Sequence, residues 1–218
     1  LSNLHTSFGL GYHGCDQKVG LDVIAGRFSL IASDRDYDWL GPGSYFWESD
    51  PRRALEWAEA KAKRTNPPIT PFVIGAVIDL GNCLDLTVRE DIEMLRDAYD
   101  GLLKTKAADG APMPRNRDLL TESNKDKLFR NLDCAVIRYL HDSIEQTIAQ
   151  DLTTKGFSDL DRFDTVRGTF SEGEPVYPDS GFYEKTHTQI AVRSLGCIKG
   201  VFRVGPNATA RVGGGSLG

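Results

Sequence analysis

The sequence predicts an α+β fold, one domain built on a mixed or antiparallel sheet. Strand-like segments lie toward both ends, helical periodicity gathers in the middle, and no internal repeat runs through the 218 residues. That length fits one domain, or one and a half at most. With 40% hydrophobic and 26% charged residues, the composition is that of an ordinary globular protein. The longest apolar run, residues 72–80, has strand length and contains Asp79, so no membrane span is expected. Thirty-one acidic against twenty-six basic residues give a net charge of -5, which disfavours broad affinity for nucleic-acid backbones and leaves room for a local basic groove. Cys15, Cys83, Cys134 and Cys197 form no Cys-x-x-Cys pair, which suits neither a disulfide framework nor a zinc knuckle. The start lacks the pattern of a secretory signal, although a processed start would hide one. The expected location is the cytoplasm.

Residues 8–12 read as a short glycine-rich strand that delivers His13 to its end. Residues 17–26 read as a helix with Val19, Val23 and Ile24 on one face and Gly26 as its left-handed cap. Residues 33–43, polar and aromatic and broken by Gly and Pro, predict an ordered loop. Residues 44–47 form a brief aromatic strand, and alternation puts Tyr45 and Trp47 on one face with Phe46 on the other. Asp50-Pro51 is a helix start, and Asn66-Pro67-Pro68 ends that helix. Residues 72–80 predict a strand buried on both faces. Thr87-x-x-Glu90 reads as a capping box opening a second helix. A long connection over 107–123 leads to a third helical region at about 126–150. Short strands follow at 162–167, 188–193 and 197–204, with a loop at 171–181 and a frayed glycine-rich tail at 211–218.

Three clusters sit at strand edges and are not needed for packing: Gly11-Tyr-His-Gly-Cys15, Gly41-Pro-Gly-Ser-Tyr-Phe46 and His187-Thr-Gln-Ile-Ala-Val192. Their order resembles the ADP-ribosyltransferases of the diphtheria-toxin-like and poly-ADP-ribose-polymerase-like branch, named H-Y-E after three signature residues. The resemblance covers roughly the first sixty residues and the last forty. It implies a split mixed sheet with a helical insertion at about 87–150, and NAD as substrate. His13 would bond the adenosine ribose, Gly14 would hold the nicotinamide amide through its backbone, and Tyr45 would stack on the nicotinamide ring. Gln189 falls where the branch has its catalytic glutamate, which is a departure.

Cleaving the nicotinamide–ribose bond passes through an oxocarbenium-like state, so a site must hold the leaving ring flat, fix its amide and steady the ribose. Tyr45, Gly14 and a polar side chain answer those needs, but a glutamine brings no negative charge. Glu184 is the nearest acid in the same segment, with Glu172 and Glu174 in the loop before it. Arg167 and Lys185 are available to a pyrophosphate or simply to solvent, and Phe182, Tyr183 and Glu184 are placed to meet an acceptor.

Bland readings stand alongside these. His13 and His187 could be satisfied strand residues, Tyr45 a core aromatic, and Gln189 a solvent-facing position. A cysteine nucleophile at Cys15 lacks a base from a distant segment, and a metal site from His13, Cys15, His141 and His187 lacks usual zinc spacing. The expected activity is therefore transfer of ADP-ribose from NAD to a macromolecular acceptor, protein or nucleic acid. Such compact NAD-using domains are frequent in toxin-like contexts, where a neutralising partner is possible. The alternatives are a catalytically degenerate module that binds NAD, ADP-ribose or a partner, and an NAD glycohydrolase.

Overall fold

The computed structural model describes residues 8–118 and 126–209, so the expectation for the tail at 211–218 lies outside the described residues. Strand β1 (Phe8–Asp16) pairs along its whole length with β3 (Pro71–Asp79), from Phe8 opposite Asp79 to Asp16 opposite Pro71. Around them stand β2 (Ser44–Glu48), β4 (Cys83–Asp85), β5 (Thr165–Phe170), β6 (His187–Val192) and β7 (Ile198–Arg203). They form one seven-stranded sheet in the order β4-β5-β6-β2-β1-β3-β7, antiparallel throughout except for the parallel β4–β5 pair. The protein is thus α+β with a mixed sheet.

Local sequence explains most element ends. Helix α1 (Gln17–Ile24) is capped by Asp16, whose carboxylate accepts from the Lys18 N–H, and it closes at Gly26 with φ +69°. Helix α2 (Pro51–Ala62) has Asp50 as its cap, accepting from Arg53 N–H, and proline in its first turn. Two long helices, α3 (Arg89–Ala108) and α4 (Asn131–Thr154), pack together where Gly101 admits the ring of Tyr139. A short turn of helix, α5 (Pro206–Thr209), follows β7.

The pleat divides the sheet into two faces, as alternation at 45–47 predicts. One face carries Cys15, Phe46, Ile74, Ile78 and Ile190, closed by Val23 of α1. On the other, Trp47 and Val73 lie with Ala54 of α2, while Leu84, Val166 and Ala191 lie with Leu40 and with Val136 and Ile137 of α4. Phe46, Ile74, Ile78 and Ile190 are fully buried, each worth about 1.5–3 kcal/mol by transfer.

Several boundaries differ from expectation for local reasons. Thr87 does not cap α3: its hydroxyl and N–H both go to the Asp85 carboxylate, and the residue at the cap, Val88, makes no side-chain bond. Helix α4 starts at Asn131 rather than near 126, because Arg117 and Phe129 form an isolated β-bridge that keeps the approach extended. Strand β4 was not expected, since three residues give too little alternation to read. Strand β5 begins at Thr165, where β4 and β6 flank it.

Candidate functional site

The ladder between β1 and β2 stops early. Gly11 pairs with Glu48 and Tyr12 with Trp47, and there the pairing ends, while β1 continues along β3 and β2 along β6. Past Tyr12 a split thus opens between β1 and β2 within the one seven-stranded sheet. Backbone direction along β1 follows from its two ends. The Leu10 carbonyl accepts from Ser49 N–H on the β2 side, and Gln17 N–H donates to the Thr70 carbonyl on the β3 side. With a period of two, Leu10, Tyr12 and Gly14 turn their N–H and C=O toward β2. Gly14 has passed the end of the ladder, so its backbone donor and acceptor face the split without a β2 partner.

His13 and Tyr45 meet across this split. His13 Nδ1 lies 2.8 Å from the Tyr45 carbonyl oxygen, which only accepts, so Nδ1 carries the proton and donates, and a neutral ring keeps Nε2 as an acceptor. Burial holds the imidazole below its ordinary pKa; the carbonyl bond opposes that and Lys61 reinforces it. The imidazole lies 5.7 Å from the Phe46 ring, on the face opposite Tyr45. Gly14 lies under α2, where a side chain would run into the Ala54 carbonyl oxygen. The Tyr45 hydroxyl donates to the Gly41 carbonyl at 2.8 Å and accepts from Leu40 N–H at 2.9 Å, which locks the ring, and burial raises its pKa well above the ordinary value.

Gln189 stands opposite Trp47 on β2 and Gly168 on β5, not opposite Tyr45, which pairs with Ala191. It is only 7% exposed and so is no solvent-facing position. Its Oε1 accepts from the Trp39 indole at 2.6 Å, and the absence of a side chain at Gly168 lets that indole lie over it. An indole nitrogen only donates, so the amide orientation is fixed and the NH2 end is left over as a donor. His13 thus meets Tyr45 only at its backbone carbonyl, the two side chains lying on opposite faces of the sheet, while Tyr45 and Gln189 are both fastened to the 39–41 segment. His13 and Gln189 share no bond among the described residues.

Two residues along β6, on the face of Gln189, His187 stacks on Phe170 with ring centroids 5.6 Å apart and planes 12° apart. Trp47 lies 6.3 Å from it, and the Arg130 guanidinium lies over the Phe170 ring. Glu172 reaches this cluster: Arg53 holds its carboxylate at 2.7 Å, and His187 Nδ1 is 4.0 Å away. The Trp47 indole N–H is buried with no partner among the described residues. Beside the cluster is a cleft of about 530 Å³ lined by Asp50, Arg52, Arg53, Glu56, Glu184, Lys185 and Thr186.

No protein-family model, curated protein or solved structure matches this chain. The residues themselves therefore carry the reading. Arg167 is engaged elsewhere, by Glu48 at 2.8 Å and Asp85 at 3.0 Å, and is not a free cation for a pyrophosphate. Cys15 is buried and its thiol is pushed up to about 11, so it is no ready nucleophile. No group of three or more metal-ligating residues occurs among the described residues. Phe182, 71% exposed, Tyr183 and Glu184 sit on the loop before β6, where Pro175 and Tyr183 form a bridge. Trp39 escaped the sequence reading, although it lies in the loop whose composition drew attention.

Proposed function

We propose that this chain is an NAD-consuming ADP-ribosyltransferase with a split-sheet fold of the ADP-ribosyltransferase type. One observation carries the reading: the β1–β2 ladder ends at Tyr12–Trp47, leaving the Gly14 backbone turned into the gap and His13 bound to Tyr45 across it. A primary amide offers one donor and one acceptor edge to a backbone N–H and C=O, so nicotinamide is a chemically apt occupant of Gly14. In this reading the His13 Nε2 accepts from an adenosine ribose hydroxyl, and the Tyr45 ring, held by Leu40 and Gly41, is the platform for the nicotinamide. Gln189 offers its amide N–H to the nicotinamide ribose. Rigid groups of this kind favour bond breaking because they need no reorganisation as charge develops.

A second reading has its own observation. Gln189 is neutral and its oxygen is taken by Trp39, so the position lacks the charge that would steady an oxocarbenium-like state, and the chain would bind NAD or ADP-ribose without turning it over.

Nicotinamide release on incubation with NAD, with and without cell lysate, separates these readings. Release only with lysate supports the transferase, release in buffer alone a glycohydrolase, and binding without release the inert module. A chain that binds neither NAD nor ADP-ribose and consumes no NAD refutes all three.

A further inference from the structure

His187 has the surroundings of a proton acceptor rather than of a filler. Its Nδ1 lies 2.7 Å from the Lys185 carbonyl oxygen, so Nδ1 donates and Nε2 keeps its lone pair in the neutral ring, with no described residue bonding it. The residue is 8% exposed, with its ring fixed in plane by Phe170 beneath it and bounded by Trp47. It shares a face with Gln189 and is one side-chain repeat away, about 6.6 Å along the strand. Glu172, whose side chain is 14% exposed, stands 4.0 Å from Nδ1 and is held by Arg53 and, at 3.8 Å, by Lys185. An imidazole with one nitrogen anchored, the other free and a carboxylate alongside is the arrangement of an oriented general base.

We infer that His187 is the base that takes the acceptor's proton, that the Glu172 carboxylate steadies the charge the imidazole gains, and that the acceptor is a group with a proton to give up, a hydroxyl, rather than a carboxylate. This rests on the transferase reading above. A carboxylate acceptor arrives already deprotonated and would leave such a base without work. In the step, the hydroxyl oxygen bonds to the ribose carbon as the carbon–nitrogen bond breaks, and the bond's electron pair goes to nicotinamide, discharging its pyridinium. The hydroxyl proton passes to His187 Nε2, so one positive charge is lost from the substrate and one is gained by the imidazole.

The groups facing His187 set the expected pH response. Burial lowers its pKa most and Arg53 lowers it too, whereas the Lys185 carbonyl bond, Glu172 and Asp50 raise it. Lys185 flanks Glu172, and Arg130 lies over the Phe170 ring. The net direction is downward, which keeps the base unprotonated at neutral pH.

The test is nicotinamide release from NAD as a function of pH, in buffer and with lysate, alongside NAD affinity by calorimetry. The parent should lose activity on an acidic limb below the ordinary histidine range. His187→Asn should lose about a hundredfold in rate or more while NAD affinity stays within about threefold, and should lose that limb. Glu172→Gln should move the limb to lower pH, because it removes a charge that raises the imidazole pKa. A His187→Asn protein that binds NAD and keeps the parental rate and limb overturns the base assignment alone. A parent that binds NAD without releasing nicotinamide in either condition also overturns it, and a parent that does not bind NAD overturns the transferase reading with it.

Discussion

The indole N–H of Trp39 donates to the carboxamide oxygen of Gln189 at 2.6 Å, across 150 positions of sequence, and this bond decides which end of the amide is available. A carboxylate would keep the same bond, since both its oxygens accept, and would add the charge that the glutamine lacks. Gln189→Glu should therefore raise nicotinamide release, by about tenfold or more if charge at this position limits the step. Gln189→Leu should lower it, and should also cost about 1–3 kcal/mol in urea unfolding because the Trp39 N–H loses its acceptor. Equal release rates for the glutamate variant and the parent would remove electrostatics at this position from the mechanism.

Gly14→Ala tests the docking of α2. The added methyl has no room against the Ala54 carbonyl, and backbone rather than a flexible side chain must yield. Overpacking of this kind costs about 1–3 kcal/mol, readable as a lower denaturation midpoint. Because α2 would have to lift from the split, affinity for NAD should fall together with stability.

Much of the fold could be read from local signals, and the site could be read only as separate pieces. Asp50-Pro51 and Gly26 announced their helix ends because capping acts within a few residues. Thr87 misled, because the competing acceptor, Asp85, lies before the helix and takes both its N–H and its hydroxyl. His13, Gly14 and Tyr45 were visible as strand-edge residues, but the early end of the β1–β2 ladder beside them is a pairing between segments and leaves no local mark. Trp39 and Glu172 owe their importance to partners 150 and 119 positions away, beyond the reach of periodicity.

Removing the His13 imidazole should separate binding from folding. Its Nδ1 bond to the Tyr45 carbonyl is a neutral hydrogen bond of about 1 kcal/mol, so His13→Ala should lower stability modestly. If Nε2 meets the adenosine ribose, the dissociation constant for NAD should rise about tenfold, measured by calorimetry. An unchanged dissociation constant in a folded variant would take His13 out of the binding site.

His141 on α4 makes the sharpest prediction about stability. It is 4% exposed, packed against Phe163, and neither ring nitrogen has a partner among the described residues. Burial, with Arg193 nearby, pushes its pKa down to about 3. A histidine depressed in the folded state binds its proton more readily when unfolded, so stability is fully present above the unfolded value near 6.5 and is lost as pH falls toward 3. Within that window this group would remove about 1.4 kcal/mol per pH unit. His13 and His187 are also depressed and add slope of the same sign, so the comparison must be with a variant. His141→Leu replaces two unpartnered polar atoms with an apolar group and should raise stability at neutral pH by about 1 kcal/mol, read as a higher urea midpoint. Between pH 6 and 4 its urea midpoint should fall less steeply than the parent's, and parallel curves would mean that the imidazole keeps a partner when protonated.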